Sequence, residues 1–161
     1  SDPVTVIYIT DAREEYGIAG AIIRRERIAI RWLRKDCTNG INALEMQALV
    51  ATIQADTLDY QGDGRELAMW IGDNQSDLWI MRRKTCRSSA INNPLMHVLR
   101  VMAKYRRVFK LIEYIPSKTN PVDARCRGLK TPKWAIKYIQ SIYQKYFPST
   151  QVPIIEENDE F

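Results

Sequence analysis

The chain predicts an α/β fold on a mixed five-stranded sheet: an antiparallel three-strand meander, then parallel strands added through helices. Three observations lead there. Three β-branched runs open the chain with links of only a few residues, and links that short join antiparallel strands. Helical periodicity then alternates with single strands, as parallel additions require. At 161 residues, 45% apolar and 27% charged, the chain is long enough to bury a core of its own as one domain.

The run VTVIYIT at 4–10 reads as a buried strand ending in Asp11-Ala12, and GIAGAII at 17–23 as a second whose small residues permit close backbone approach. RIAIRWL at 27–33 is the third. The stretch TNGINALEMQALVATIQADTL carries Leu44, Ala48, Ala51 and Ala55 at helical spacing, with Asn42 placed to cap the helix. A turn at Gly62-Asp63-Gly64 leads into a strand that ends at Asp73, and NQSDLWIMRRK then reads as helix. Asn92-Asn93-Pro94 opens a helix running to about Tyr105, KLIEYIP is the fifth strand, and NPVDARCRG begins the last helical region. After Pro132, the stripe Ala135, Ile139, Ile142 and Tyr146 marks the final helix. The domain is expected over 1–147, with 148–161 as a flexible tail or linker.

Cys37, Cys86 and Cys126 lie far apart without a CxxC pair, so neither a zinc site nor a disulfide framework is expected, and a reducing intracellular compartment fits. No apolar run reaches the length of a membrane span. The net charge of +5 would be +9 without Glu156, Glu157, Asp159 and Glu160. A basic body around an acidic pocket suits an enzyme of nucleic acids, because cations hold the phosphates while metals let carboxylates approach them.

Four acids carry the chemistry. Asp11 and Asp73 each end a strand, where a charge is ordinarily the first solvated residue of a turn. Glu45 and Asp123 each fall in the first turn of a helix, where the dipole favours a negative side chain. Each has an ordinary explanation, but together they repeat a pattern of strand-end acid and helix-start acid. Gathered carboxylates repel one another unless divalent cations neutralise them.

The succession Thr10-Asp11-Ala12, Asn42-Ala43-Leu44-Glu45, Gly72-Asp73-Asn74 and Ile115-Pro116-Ser117-Lys118 leading to Asn120-Pro121-Val122-Asp123 and Arg127-Gly128 resembles a ribonuclease H domain. The closing phrase is most similar to domains attached to reverse transcriptases of DIRS-like or BEL/Pao-like retroelements. The resemblance, over about residues 4–129, implies a ribonuclease H-like fold and an endoribonuclease that cuts the RNA strand of RNA/DNA hybrids. It implies that Asp11, Glu45, Asp73 and Asp123 hold two Mg²⁺ ions, with Mn²⁺ as substitute, and that a polymerase domain of the same polyprotein is a partner. Asn42 matches a position facing the 2′-hydroxyls, Thr38 and Asn39 are candidates for a phosphate pocket, and Arg82, Arg83, Lys84 and Arg87 for hybrid binding. Further basic clusters stand at Arg24, Arg25, Arg31, Arg34 and Lys35, and at Lys104, Arg106, Arg107 and Lys110. Trp79, on the helix after Asp73, could stack on a deoxyribose or base, but beside Leu78 and Met81 it is expected in the core.

The chain departs from the family's pattern in three ways, one being that no clear insertion forming an extra basic helix stands between Asp73 and Asp123, which implies dependence on a neighbouring polymerase domain. Ser117 and Lys118 stand where many members carry a loop histidine, which His97 does not replace. Arg13 stands beside Asp11, placed to pair with that carboxylate or to bind a phosphate. A DNA nuclease of the same superfamily, or a connection module that no longer cuts, are the competing expectations.

Overall fold

Val6–Arg13 (β1), Gly17–Arg24 (β2) and Arg27–Arg34 (β3) form the expected antiparallel meander. The structure, a computed structural model, describes residues 2–34, 40–60, 64–83 and 89–161. Helix α1 (Ile41–Asp59) leads to β4 (Glu66–Gly72), which adds parallel to β1. Helices α2 (Gln75–Arg83) and α3 (Ser89–Lys104) precede β5 (Arg107–Tyr114), parallel to β4. A 3₁₀ turn at Ser117–Thr119, the short α4 (Asp123–Cys126) and α5 (Lys133–Tyr146) complete the helices.

The sheet has six strands, not five, in the order β5-β4-β1-β2-β3-β6. The sixth, β6 (Ile155–Glu156), lies in the stretch expected as a tail and pairs parallel with β3 through Ile28 and Ala29. Two paired residues leave no period in the sequence. Ion pairs hold the strap: Arg27 Nε lies 2.5 Å from Glu156, and Arg125 Nε lies 3.3 Å from Glu157.

Strand alternation sorts the core into two layers. Ile7 and Ile9 join Ala21, Ile28, Val122, Ile139 and Tyr143 on the α4–α5 side. Val6 and Tyr8 join Met46, Leu49, Trp70, Leu78 and Val98 on the α1–α3 side. Helix α1 buries more than the single stripe its sequence suggests, including Ala43, Leu44, Met46, Leu49, Val50 and Ile53, because it lies between sheet and α3. It also rides close over β2: a Cβ at Gly20 would stand 1.9 Å from Thr52 Oγ1.

Two caps differ from expectation. Gly40 caps α1 without a side-chain bond, leaving Asn42 free for another partner, and α3 starts at Ser89, five residues before Pro94. Arg24 and Arg107, expected in phosphate-facing clusters, are instead buried. Arg24 bonds Asp56 at 2.7 Å and Glu66 at 2.5 Å, Arg107 reaches Glu66 at 3.0 Å, and Tyr8 donates its hydroxyl to Asp56 at 2.6 Å. This network pins α1 to β1, β2, β4 and β5.

Candidate metal centre

The parallel pairing of β1 with β4 ends at Ile9 opposite Ile71, so the two strands part just before Thr10-Asp11 and Gly72-Asp73. The gap lies where parallel strands end and β1 turns its other edge to the antiparallel β2, the kind of position at which open α/β sheets bind ligands. Asp11 still belongs to β1, opposite Ala19, rather than to the following turn, and is 1% exposed.

Glu45 enters from α1. Because that helix starts at Ile41, Glu45 sits in its second turn rather than its first, and it is buried. The helix dipole therefore explains it poorly. Carboxylate oxygens of Asp11, Glu45 and Asp73 all lie within 4.8 Å of one another. Asp11 Oδ1 accepts the Ala12 amide at 2.8 Å, while Oδ2 is buried with no hydrogen-bond partner. An orphaned carboxylate oxygen beside two other carboxylates fits a cation, and an all-oxygen donor set fits a hard divalent one.

The electrostatics agree. Burial, then the charge of Asp73, pushes the Asp11 carboxyl from 3.8 up to about 9, partly offset by Arg13. Burial, followed by the charges of Asp11, Asp73 and Asp77, raises Glu45 well above its ordinary value. A divalent cation removes that repulsion.

Asp123, the fourth expected acid, opens α4 outside this group of three. Arg13 holds it, with Nη2 2.7 Å and Nε 2.9 Å from Asp123 Oδ1 but Nε 3.9 Å from Asp11. Arg127 adds a contact at 3.1 Å. Burial alone would raise the Asp123 carboxyl, but the hydrogen bond and charge of Arg13, with Arg127, hold it below the usual range. Arg13 therefore pairs chiefly with Asp123 and only distantly with Asp11.

Amides link these acids. Asn120, just ahead of α4, donates from Nδ2 to the Thr10 carbonyl at 2.9 Å and to Asp73 at 3.4 Å, while its Oδ1 accepts the Val122 amide at 3.1 Å. Asn42 Oδ1 accepts from Asn74 Nδ2 at 2.7 Å, and Asn74 Oδ1 accepts the Asp77 amide at 3.0 Å. Asp77 escaped the sequence reading, since an acid in the first turn of a short helix passes for a dipole partner. It is buried, both carboxylate oxygens lack partners, and burial raises it to about 8.

Of the basic candidates, Arg82 and Arg83 are exposed at the end of α2, with Arg82 donating to the Ile112 carbonyl. Thr38, Asn39, Lys84, Arg87 and Lys35 lie outside the described residues. Trp79 is 58% exposed, not part of the core as expected. His97 is exposed on α3, and Ser117 and Lys118 form the exposed 3₁₀ turn. Among the described residues no helix is long and apolar enough to cross a membrane.

No protein-family model matches the sequence, and no curated protein does. Solved structures do match. The N-terminal ribonuclease H domain of a Mycobacterium tuberculosis protein, solved as a fusion with maltose-binding protein, aligns with TM-score 0.59 at 15% identity over 78% of this chain and 97% of that one. A ribonuclease H1 isolated from compost, in complex with RNA/DNA hybrid, aligns with TM-score 0.56 at 14% identity over 72% and 88%. Ribonuclease H1 of Halobacterium salinarum aligns with TM-score 0.52 at 12% identity over 74% and 89%. The chain has the ribonuclease H-like fold.

Proposed function

We propose that this protein is an endoribonuclease that hydrolyses the RNA strand of RNA/DNA hybrids, using two divalent cations, Mg²⁺ or Mn²⁺, in the reverse transcription of a retroelement. The observation that carries the reading is the trio of buried Asp11 and Glu45 with half-buried Asp73, with its orphaned Asp11 oxygen, at the sheet's switch point. A ribonuclease H-like fold and a similar structure bound to RNA/DNA hybrid support it. The closing phrase from Ile115 to Gly128 supports the retroelement origin and a reverse transcriptase polymerase domain as partner.

Asp11, Glu45 and Asp73 would hold the metal, with Asp123 completing the set once Arg13 lets it go. Bound there, divalent cations would lower the pKa of an attacking water and offset the charge on the leaving oxygen. The protein's own groups do the rest. The Ala12 amide fixes one Asp11 oxygen, leaving the other for the cluster. Asn120 keeps the Asp73 carboxylate in place from below. The paired amides of Asn42 and Asn74 offer both donor and acceptor at the mouth of the site, as recognition of a 2′-hydroxyl needs. Burial of Asp11 and Glu45 keeps bulk water from their side of the centre, while half-buried Asp73 faces the opening.

A second reading, a connection module that binds without cutting, is favoured by the clasp of Arg13 and Arg127 on Asp123. One experiment separates them. Labelled RNA/DNA hybrid, double-stranded RNA and double-stranded DNA are incubated with the protein in Mg²⁺ or Mn²⁺, beside Asp73→Asn. Hybrid-only cleavage, reduced in the variant by more than the about 10- to 100-fold that outer-shell losses cost, upholds the first reading. Cleavage of DNA points to a DNA nuclease, and binding without cleavage to the module.

A further inference from the structure

A groove of about 520 Å³ opens beside the candidate centre, lined by Gln75, Ser76, Trp79 and Arg82 on one wall and Tyr114 on the other. Its size lies within the about 300–1,000 Å³ range of ligand clefts. Trp79 is 58% exposed and Tyr114 44%, an unusual outlay of aromatic surface for a wall of only a few residues. The position follows from strand register. Tyr114 pairs with Gly72, the residue before Asp73, and α2 begins two residues after that aspartate. The groove and the carboxylates thus share one end of the sheet.

The lining says what would enter. Trp79 and Arg83 stand four residues apart on one helix face, with the Arg83 guanidinium 5.6 Å from the indole centroid. Arg82 and Arg83 bring positive charge to the rim, while Gln75 and Ser76 supply donors and acceptors. Aromatic walls with cations and amides around them suit a flat, hydrogen-bonding ring attached to a phosphate. In a duplex the base faces are already stacked on their neighbours, so only an unpaired base offers a free face. Resting on the nucleic-acid reading above, we propose that the groove between Trp79 and Tyr114 is a stacking subsite for an unpaired nucleobase flanking the duplex that the carboxylates act on.

The test uses binding in the presence of a chelator, so that cleavage plays no part. A single-stranded oligothymidylate and an abasic tract of equal length carry the same phosphates but differ in base rings. The protein is expected to bind the thymidylate at least about fivefold more tightly, the lower end of what one stacked base contributes. Trp79→Ala and Tyr114→Ala should each abolish most of that preference, and Trp79→Phe should retain part of it. Because neither side chain belongs to the core, circular dichroism should show the variants folded. Equal affinity for the two tracts, or a base preference that survives Trp79→Ala, overturns the proposal and leaves this face to a protein partner. Base-dependent binding without hybrid cleavage would sink the nuclease reading alone; cleavage without base preference would sink the subsite alone.

Discussion

Asp11 shows how a residue pays for its position in the fold. Its carboxyl keeps a proton up to about pH 9 in the folded chain but releases it near 3.8 when exposed. The folded state therefore binds more protons between those values, and the stability of the metal-free protein should fall as pH rises across that interval. Asp11→Asn should flatten the slope and stabilise the metal-free protein at pH 8 by at least about 1.4 kcal/mol, the equivalent of one pKa unit. Denaturant melts of both proteins from pH 5 to pH 9 check this; parallel pH profiles would refute it. Divalent cation at 100 times its dissociation constant should add about 2.7 kcal/mol to the parent protein. Asp11→Asn should lose most of that gain, measured by thermal shift with and without Mg²⁺.

Among elements, α1 matters most, because it delivers Glu45 and is fixed at two points along its length. Toward its C-terminus, Asp56 is the shared acceptor of Arg24 and Tyr8. Asp56→Ala would strand buried cations, and chemical denaturation should show a loss of about 3–5 kcal/mol. Near its middle, Gly20→Ala on β2 would drive a methyl into Thr52 and cost about 1–3 kcal/mol. The double variant with Thr52→Ala should recover most of that loss. All but the two-residue β6 were legible in sequence, the strands from their β-branched runs and the helices from their spacing and flanking turns, as were the three acids that meet. Other features were not. Which side of α2 faces solvent decides that Asp77 is buried and Trp79 exposed, and a nine-residue helix with apolar residues on several faces does not reveal it. The partner of Arg13 depends on how α4 meets β1, which joins residues 110 apart.

Across the whole molecule, the C-terminal strap changes the character of one sheet edge. Without it β3 would present unpaired backbone groups to solvent, the usual invitation to strand pairing between copies. It also brings Glu156, Glu157 and Asp159 onto Arg27, Arg125 and Arg31. A chain truncated after Pro153 should therefore self-associate with rising concentration, seen by sedimentation velocity, where the full chain does not. It should also bind nonspecific duplex more tightly at low salt, since losing the strap's acids leaves Arg125 without its ion pair and Arg27 and Arg31 sharing only Asp59.

The three-way grip of Asn120 has a consequence in time. Its amide joins the Thr10 carbonyl, 110 residues upstream, to the Asp73 carboxylate and the backbone that leads into Asp123. A chain emerging from the ribosome exposes Asp11, Glu45 and Asp73 well before this clasp can close. During synthesis the three acids therefore exist without this clasp, and their arrangement is not finished until the segment from Asn120 to Asp123 has been made.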